Sequence, residues 1–138
     1  MAVRSILLDT NAYTAFKQGV PGTVEILQHA PVIGINSVVL GELLGGFAAG
    51  TREAWNREQL QQFLSSKRVS ALTVDPVTAD HYAFIYRDLR QQGRMIPTND
   101  LWIAATARQH GLVLVSYDQH FDYVSGLPVA RHLQDLLD

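Results

Sequence analysis

The 138-residue chain contains no cysteine. That excludes a disulfide framework and thiolate metal sites, and it fits a reducing compartment. No apolar run approaches the ~20 residues that a membrane span needs. The start of the chain lacks a charged-then-apolar leader, so the sequence reads as cytoplasmic and without a membrane. Phosphate-binding loops of the G-x-x-x-x-G-K and G-x-G-x-x-G kinds are missing, as is a G-x-S-x-G nucleophile elbow. The five histidines show no H-E-x-x-H spacing. No lysine follows Lys67, whereas a response-regulator-like phosphoacceptor site expects a late one. A D-x-D phosphatase fails as well, because Asn11 stands where the second aspartate belongs. With a net charge of −2, the chain is not broadly basic either.

What is present suits an ordinary globular fold: 47% hydrophobic and 17% charged residues, in a length typical of a single domain spanning 1–138. Short apolar runs alternate with longer helical patterns. Ile6–Leu8 is a strand, followed by a short helix over Asp9–Gln18 that Gly19 stops. A second helical stretch runs from Pro21 to about His29. Val32–Ile35 is the next strand, and Asn36 or Ser37 caps a helix carrying Val39, Leu40, Leu43, Leu44 and Phe47. Arg52–Lys67 reads as an amphipathic helix with Trp55, Leu60, Phe63 and Leu64 on its apolar face. Val69–Val74 is a third strand. Helices follow over Val77–Gln92, ended by Gly93, and Asp100–His110, ended by Gly111. Leu112–Val115 is the fourth strand. A loop with one short turn covers 116–126. Val129–Ala130 is a small fifth strand, and Leu133–Leu137 a terminal helical turn. This order predicts an α/β/α sandwich: a mostly parallel sheet of four to five strands, helices on both faces, right-handed crossovers.

In such a sheet the carboxyl ends of the parallel strands share one edge, where ligands bind. Four carboxylates fall near it. Asp9 ends the first strand, Glu42 lies in the helix after the second, Asp100 opens the helix before the fourth, and Asp118 follows the fourth. Each also has a local explanation. Asp9 suits a helix cap, Asp100 complements a helix N-terminus, and Asp118 suits a turn. Glu42 is harder to explain locally, since it is the only formal charge between Glu25 and Arg52. Clustered carboxylates repel, so together they take up protons or bind cations. All-oxygen ligands suit hard dications, Mg²⁺ or Mn²⁺. Such ions hydrolyse phosphate esters through an activated water. Thr10, Asn11, Asn99 and Ser116 are placed to orient the carboxylates. His120, near Asp118, reads as a surface-turn histidine.

These motifs, L-L-D-T-N, S-V-V-L-G-E-L-L-G-G, T-N-D-L-W-I-A-A-T-A and L-V-S-Y-D-Q-H-F, span nearly the whole chain. In that order the sequence resembles the PIN-domain ribonucleases, and within them the VapC toxins of type II toxin–antitoxin pairs. The resemblance implies a PIN-like fold and an endoribonuclease using Mg²⁺ or Mn²⁺. It places Asp9, Glu42, Asp100 and Asp118 at the family's acidic positions, with Asn11 and Ser116 among its polar neighbours. Ser116 stands where the family more often has threonine, and the hydroxyl remains. Asp122 competes with Asp118 for the fourth position. Products with a 5′-phosphate and a 3′-hydroxyl, homodimerisation, and an antitoxin segment docking among the helices are further implications.

Once those four acids are set aside, nine remain against eleven bases, so the rest of the chain is net basic. Arg87, Arg90 and Arg94 are spaced three and four apart, on one helix face leading toward Asp100, and read as contacts for RNA phosphates. Two alternatives share the same motifs: a PIN-like module that binds RNA or protein without catalysis, and a structure-specific DNA nuclease using the same metal site.

Overall fold

The computed structural model describes residues 2–137. Five strands, β1 (Ile6–Leu8), β2 (Ile33–Asn36), β3 (Val69–Leu72), β4 (Val113–Val115) and β5 (Val129–Ala130), form one sheet in the order β3-β2-β1-β4-β5. All four pairings are parallel, so the expected mostly parallel sheet is wholly so. Six helices accompany it: α1 (Thr10–Lys17), α2 (Pro21–His29), α3 (Ser37–Ala49), α4 (Glu53–Leu64), α5 (Pro76–Gln92) and α6 (Thr98–His110). Two 3₁₀ turns, Gln119–Tyr123 and Leu133–Leu136, bracket β5. Outside the sheet, an antiparallel bridge ties Val3 to Leu137.

Successive side chains on a strand point to opposite faces. Every residue of β1, β2 and β4 is buried, so helices cover the middle of the sheet on both sides. The apolar runs seen in the sequence supply this core: Ile6, Leu7, Leu8, Ile35, Leu114 and Val115 are fully enclosed. At the edge, β3 is half-exposed.

The strand order matters for function. From β1 the chain builds outward through β2 and β3, then returns to β1's other side to add β4 and β5. The direction of growth therefore reverses between β1 and β4. In open parallel sheets a crevice opens at that point, beyond the carboxyl ends of the strands.

Two details depart from the sequence reading, and one alternative it left open is decided. The helix after β2 is capped by Asn36, not Ser37; the Asn36 side chain accepts from the Val39 amide at 2.9 Å and is wholly buried. Trp55 is 52% exposed instead of sharing the apolar face of α4. It precedes Leu60 by five residues, which rotates it about 140° away around the helix. Arg94 does not extend the Arg87–Arg90 face. Gly93 caps α5 in the left-handed conformation (φ 70°), and the chain turns off before Arg94.

Candidate active site

The residues following β1 and β4 meet in the crevice. Asp9 is the cap of α1: its Oδ1 accepts from the Thr10 amide at 2.8 Å. Its Oδ2 accepts from the Ser116 hydroxyl at 2.6 Å, which joins the ends of the two central strands. Ser116 is fully buried, and its Oγ accepts in turn from the Asp118 amide at 3.1 Å. Asn11, two residues along, accepts from the Tyr117 amide at 3.1 Å. The loop after β4 is thus fastened to the first turn of α1 by two side chains, Ser116 and Asn11. Tyr117 adds a hydroxyl–hydroxyl bond to Thr23 of α2.

Glu42 comes from α3 and is exposed, but both its oxygens are held. Oε1 accepts from Thr10 Oγ1 at 2.7 Å, and Oε2 accepts from Asn99 Nδ2 at 3.4 Å. Asp100 enters from the first turn of α6. His120 Nδ1 lies 2.9 Å from Asp100 Oδ2 and 3.2 Å from Asp118 Oδ1. The structure therefore brings Asp9, Glu42, Asp100 and Asp118 to one end of the sheet, along with Thr10, Asn11, Asn99 and Ser116. Asp122, the competitor for the fourth position, faces Arg131 at 3.3 Å and stays outside. His120, read as a bystander on a surface turn, is on that turn but bonded into the site. Its link to Asp100 crosses 20 positions of sequence, so no local pattern announces it.

Charge in this crevice is costly. Burial pushes the Asp9 carboxyl up to about 6. The bonds from Ser116 and Thr10 partly offset that, and the charges of Asp100 and Glu42 add to it. Asp100 is also raised, first by burial and then by Asp118 and Glu42, with His120 opposing. The His120 imidazole is raised in turn, chiefly by its bond to Asp100. Among the described residues, no lysine or arginine lies within ion-pair distance of the four acids. A carboxylate cluster without a lysine or arginine among the described residues, its orientations fixed by hydroxyl and amide donors, fits a divalent cation. Asp100, Asp118 and His120 each offer a ligand atom, all within 4.8 Å of one another.

Arg87 and Arg90 are exposed on α5, and Arg94 packs its guanidinium over the Tyr123 ring at 4.7 Å. None of the three is paired with Asp88, whose Oδ2 instead accepts from Gln92.

Comparison with known proteins agrees with this geometry. The PIN domain family model matches residues 6–127. Ribonuclease VapC2 of Haemophilus influenzae is 35% identical over 114 residues, covering 80% of this chain and 83% of that protein. The tRNA(fMet)-specific endonuclease VapC of Shigella flexneri is 34% identical over 67% of this chain and 70% of its own length. Among solved structures, VapBC2 from Rickettsia felis bound to a DNA fragment from its promoter superposes with a TM-score of 0.81. It is 26% identical and covers 91% of this chain and 96% of that one. With the acids gathered at the sheet's switch point and a family match over almost the whole length, the chain belongs to the PIN-domain family and, within it, to the VapC ribonuclease toxins.

Proposed function

We propose that the chain, acting as a single domain over 1–138, is a metal-dependent endoribonuclease and the toxin of a type II toxin–antitoxin pair. The convergence of Asp9, Glu42, Asp100 and Asp118 without a lysine or arginine among them carries the reading. Mg²⁺ or Mn²⁺ is the cation we assign to these residues. When bound, such an ion lowers the pKa of a water and offsets the negative charge that develops on the phosphate.

The chain's own residues prepare the site. Ser116 and the Thr10 amide fix both oxygens of Asp9, and Thr10 Oγ1 with Asn99 fixes those of Glu42. Carboxylates held this way present lone pairs to a cation without reorganising when it arrives. No protein nucleophile is needed. Arg87 and Arg90 on α5, and Arg94 beside Tyr123, are the residues assigned to RNA phosphates.

The solved relatives include toxin–antitoxin complexes, which supports a cognate antitoxin as partner. A groove of about 370 Å³ between α1, α3 and α4 is lined by Tyr13, Phe47 and the exposed Trp55 and by the polar Lys17, Gln18, Arg52 and Gln59, a mixed surface open to an antitoxin segment. We also assign the chain a homodimeric state, which sedimentation of the purified protein tests. No helix among the described residues is long and apolar enough to cross a membrane.

The test is cleavage of total RNA by purified protein, with Mg²⁺ or Mn²⁺ and with chelator, beside Asp9→Asn. We expect cleavage only with metal, and a loss of about 100-fold or more in the variant. Cleavage in chelator, or by the variant at the same rate, would falsify the reading. Single-stranded DNA as a parallel substrate separates an RNA-directed enzyme from a DNA-directed one.

A further inference from the structure

His120 sits where a cation ligand would. Its backbone is held by the 3₁₀ turn Gln119–Tyr123, and its amide donates to Asp118 Oδ1 at 2.9 Å. The next residue, Phe121, is fully buried and anchors the turn in the core. The ring, 47% exposed, directs Nδ1 between two carboxylates, Asp100 at 2.9 Å and Asp118 at 3.2 Å. Nε2 has no partner among the described residues.

One nitrogen facing two acceptors is over-supplied. Nδ1 carries at most one hydrogen, and that hydrogen serves one carboxylate well and the other poorly. A dication placed among the three groups removes the conflict, because all three then turn lone pairs toward one positive centre. The spacing permits it. The ligand atoms lie within 4.8 Å of one another, close to the spread of donors that each stand about 2.0–2.3 Å from a shared ion.

We propose that His120 is a direct ligand, with Asp100 and Asp118, of a dication in this crevice, and that its nitrogen biases the position toward a transition ion such as Mn²⁺ over Mg²⁺. The inference rests on the nuclease reading of the site and adds a ligand to it. Mg²⁺ takes oxygen donors and keeps its water, whereas first-row transition ions accept imidazole. Asp9 and Glu42, across the crevice, are bonded to hydroxyls and amides instead of a ring nitrogen. The nitrogen-containing set is thus confined to the Asp100–Asp118 side.

The experiment measures metal binding to the full chain, apart from turnover. Mn²⁺ is titrated into the unmodified protein, His120→Ala and His120→Gln, with Mg²⁺ titrated in parallel by calorimetry. The bound Mn²⁺ is examined by pulsed electron paramagnetic resonance for coupling to an imidazole nitrogen. We expect that coupling in the unmodified protein and its absence in both variants. Mn²⁺ affinity should fall about tenfold or more in the variants while Mg²⁺ affinity stays within about twofold. The nitrogen coupling in the unmodified protein depends on no variant's folding. Bound Mn²⁺ without nitrogen coupling, or equal loss of both metals in the variants, overturns the assignment of His120 and leaves the nuclease reading standing. If the unmodified protein binds neither ion, both readings fall together.

Discussion

Asp9 and Asp75 start from the same local arrangement and end in opposite circumstances. Each follows a strand, caps the helix that comes next, and accepts a bond from that helix's first turn. Asp75 is exposed and well supplied with donors: the Thr78 amide at 3.0 Å and Gln109 Nε2 at 3.3 Å, with Thr78 Oγ1 bonding back to complete a capping box. Led by the Thr78 amide, these hold its carboxyl below the usual range. Asp9 lies in the crevice, where burial outweighs its two bonds and lifts the carboxyl to about 6. A cap and a site are therefore not competing explanations for an aspartate at a strand end. Asp9 is both, and what separates it from Asp75 is the company of other acids at a low-dielectric sheet edge.

The sharpest way to test that contrast is to neutralise each in turn. Asn is as good a cap as Asp, so both substitutions keep the helix starts. Asp9→Asn is expected to lower metal-dependent RNA cleavage about 100-fold or more, and Asp75→Asn to leave it within about twofold. Equal loss in the two would mean that Asp9 acts through folding alone.

Asn36 makes a third member of the comparison. It caps the helix after β2 as a buried, uncharged residue, with Val39 N donating to it at 2.9 Å and its own Nδ2 donating to Thr106 Oγ1 at 3.0 Å. Removing it orphans a helix amide and a buried hydroxyl acceptor. Asn36→Ala should destabilise the fold by about 2 kcal/mol, read as a shift in the denaturation midpoint. A change under about 0.5 kcal/mol would show that water replaces both bonds.

Much of this is legible in the sequence. The buried runs in β1, β2 and β4, and the glycines that stop α5 and α6 at φ 70° and 64°, are local signals, and they fell where the pattern put them. The acids were legible for a related reason: a charge directly after an apolar run is out of place unless something receives it. Long-range relations were harder. Trp55 belongs to an apolar-looking helix but points outward, because the stripe set by Leu60, Phe63 and Leu64 misses it. Arg94 keeps helical spacing to Arg90, but Gly93, a stop already visible in the sequence, ends the helix between them, so the spacing means nothing there. His120 carries no local signal, because its meaning lies in Asp100, on another element. A lone charge among apolar neighbours, as Glu42 is, usually has a partner. Glu42 is partnered, but on an exposed face, by Thr10 and Asn99 from two different helices.

The smallest effect that separates Asp9 from Asp75 is the sign of their pH dependence. Asp75 has a folded pKa below the ordinary 3.8, so its contribution is complete above that value and is lost as pH falls through the depressed one. Asp9, with chelator present, behaves the other way. Between 3.8 and about 6 the folded protein holds a proton that the unfolded chain has given up, so stability falls as pH rises through that window and then levels off. Thermal midpoints of the unmodified protein and each Asn variant, measured in chelator from pH 3 to pH 7, isolate the two contributions. The difference for Asp9→Asn should grow in the variant's favour up to about pH 6, because the amide never carries the buried charge. The difference for Asp75→Asn should run against the variant at neutral pH and shrink toward pH 3. Added Mn²⁺ should erase the first trend, since a cation beside Asp9 removes the cost of its charge, and leave the second untouched. Parallel trends for the two variants would mean that the crevice does not penalise Asp9's charge, and the distinction between cap and site would lose its electrostatic basis.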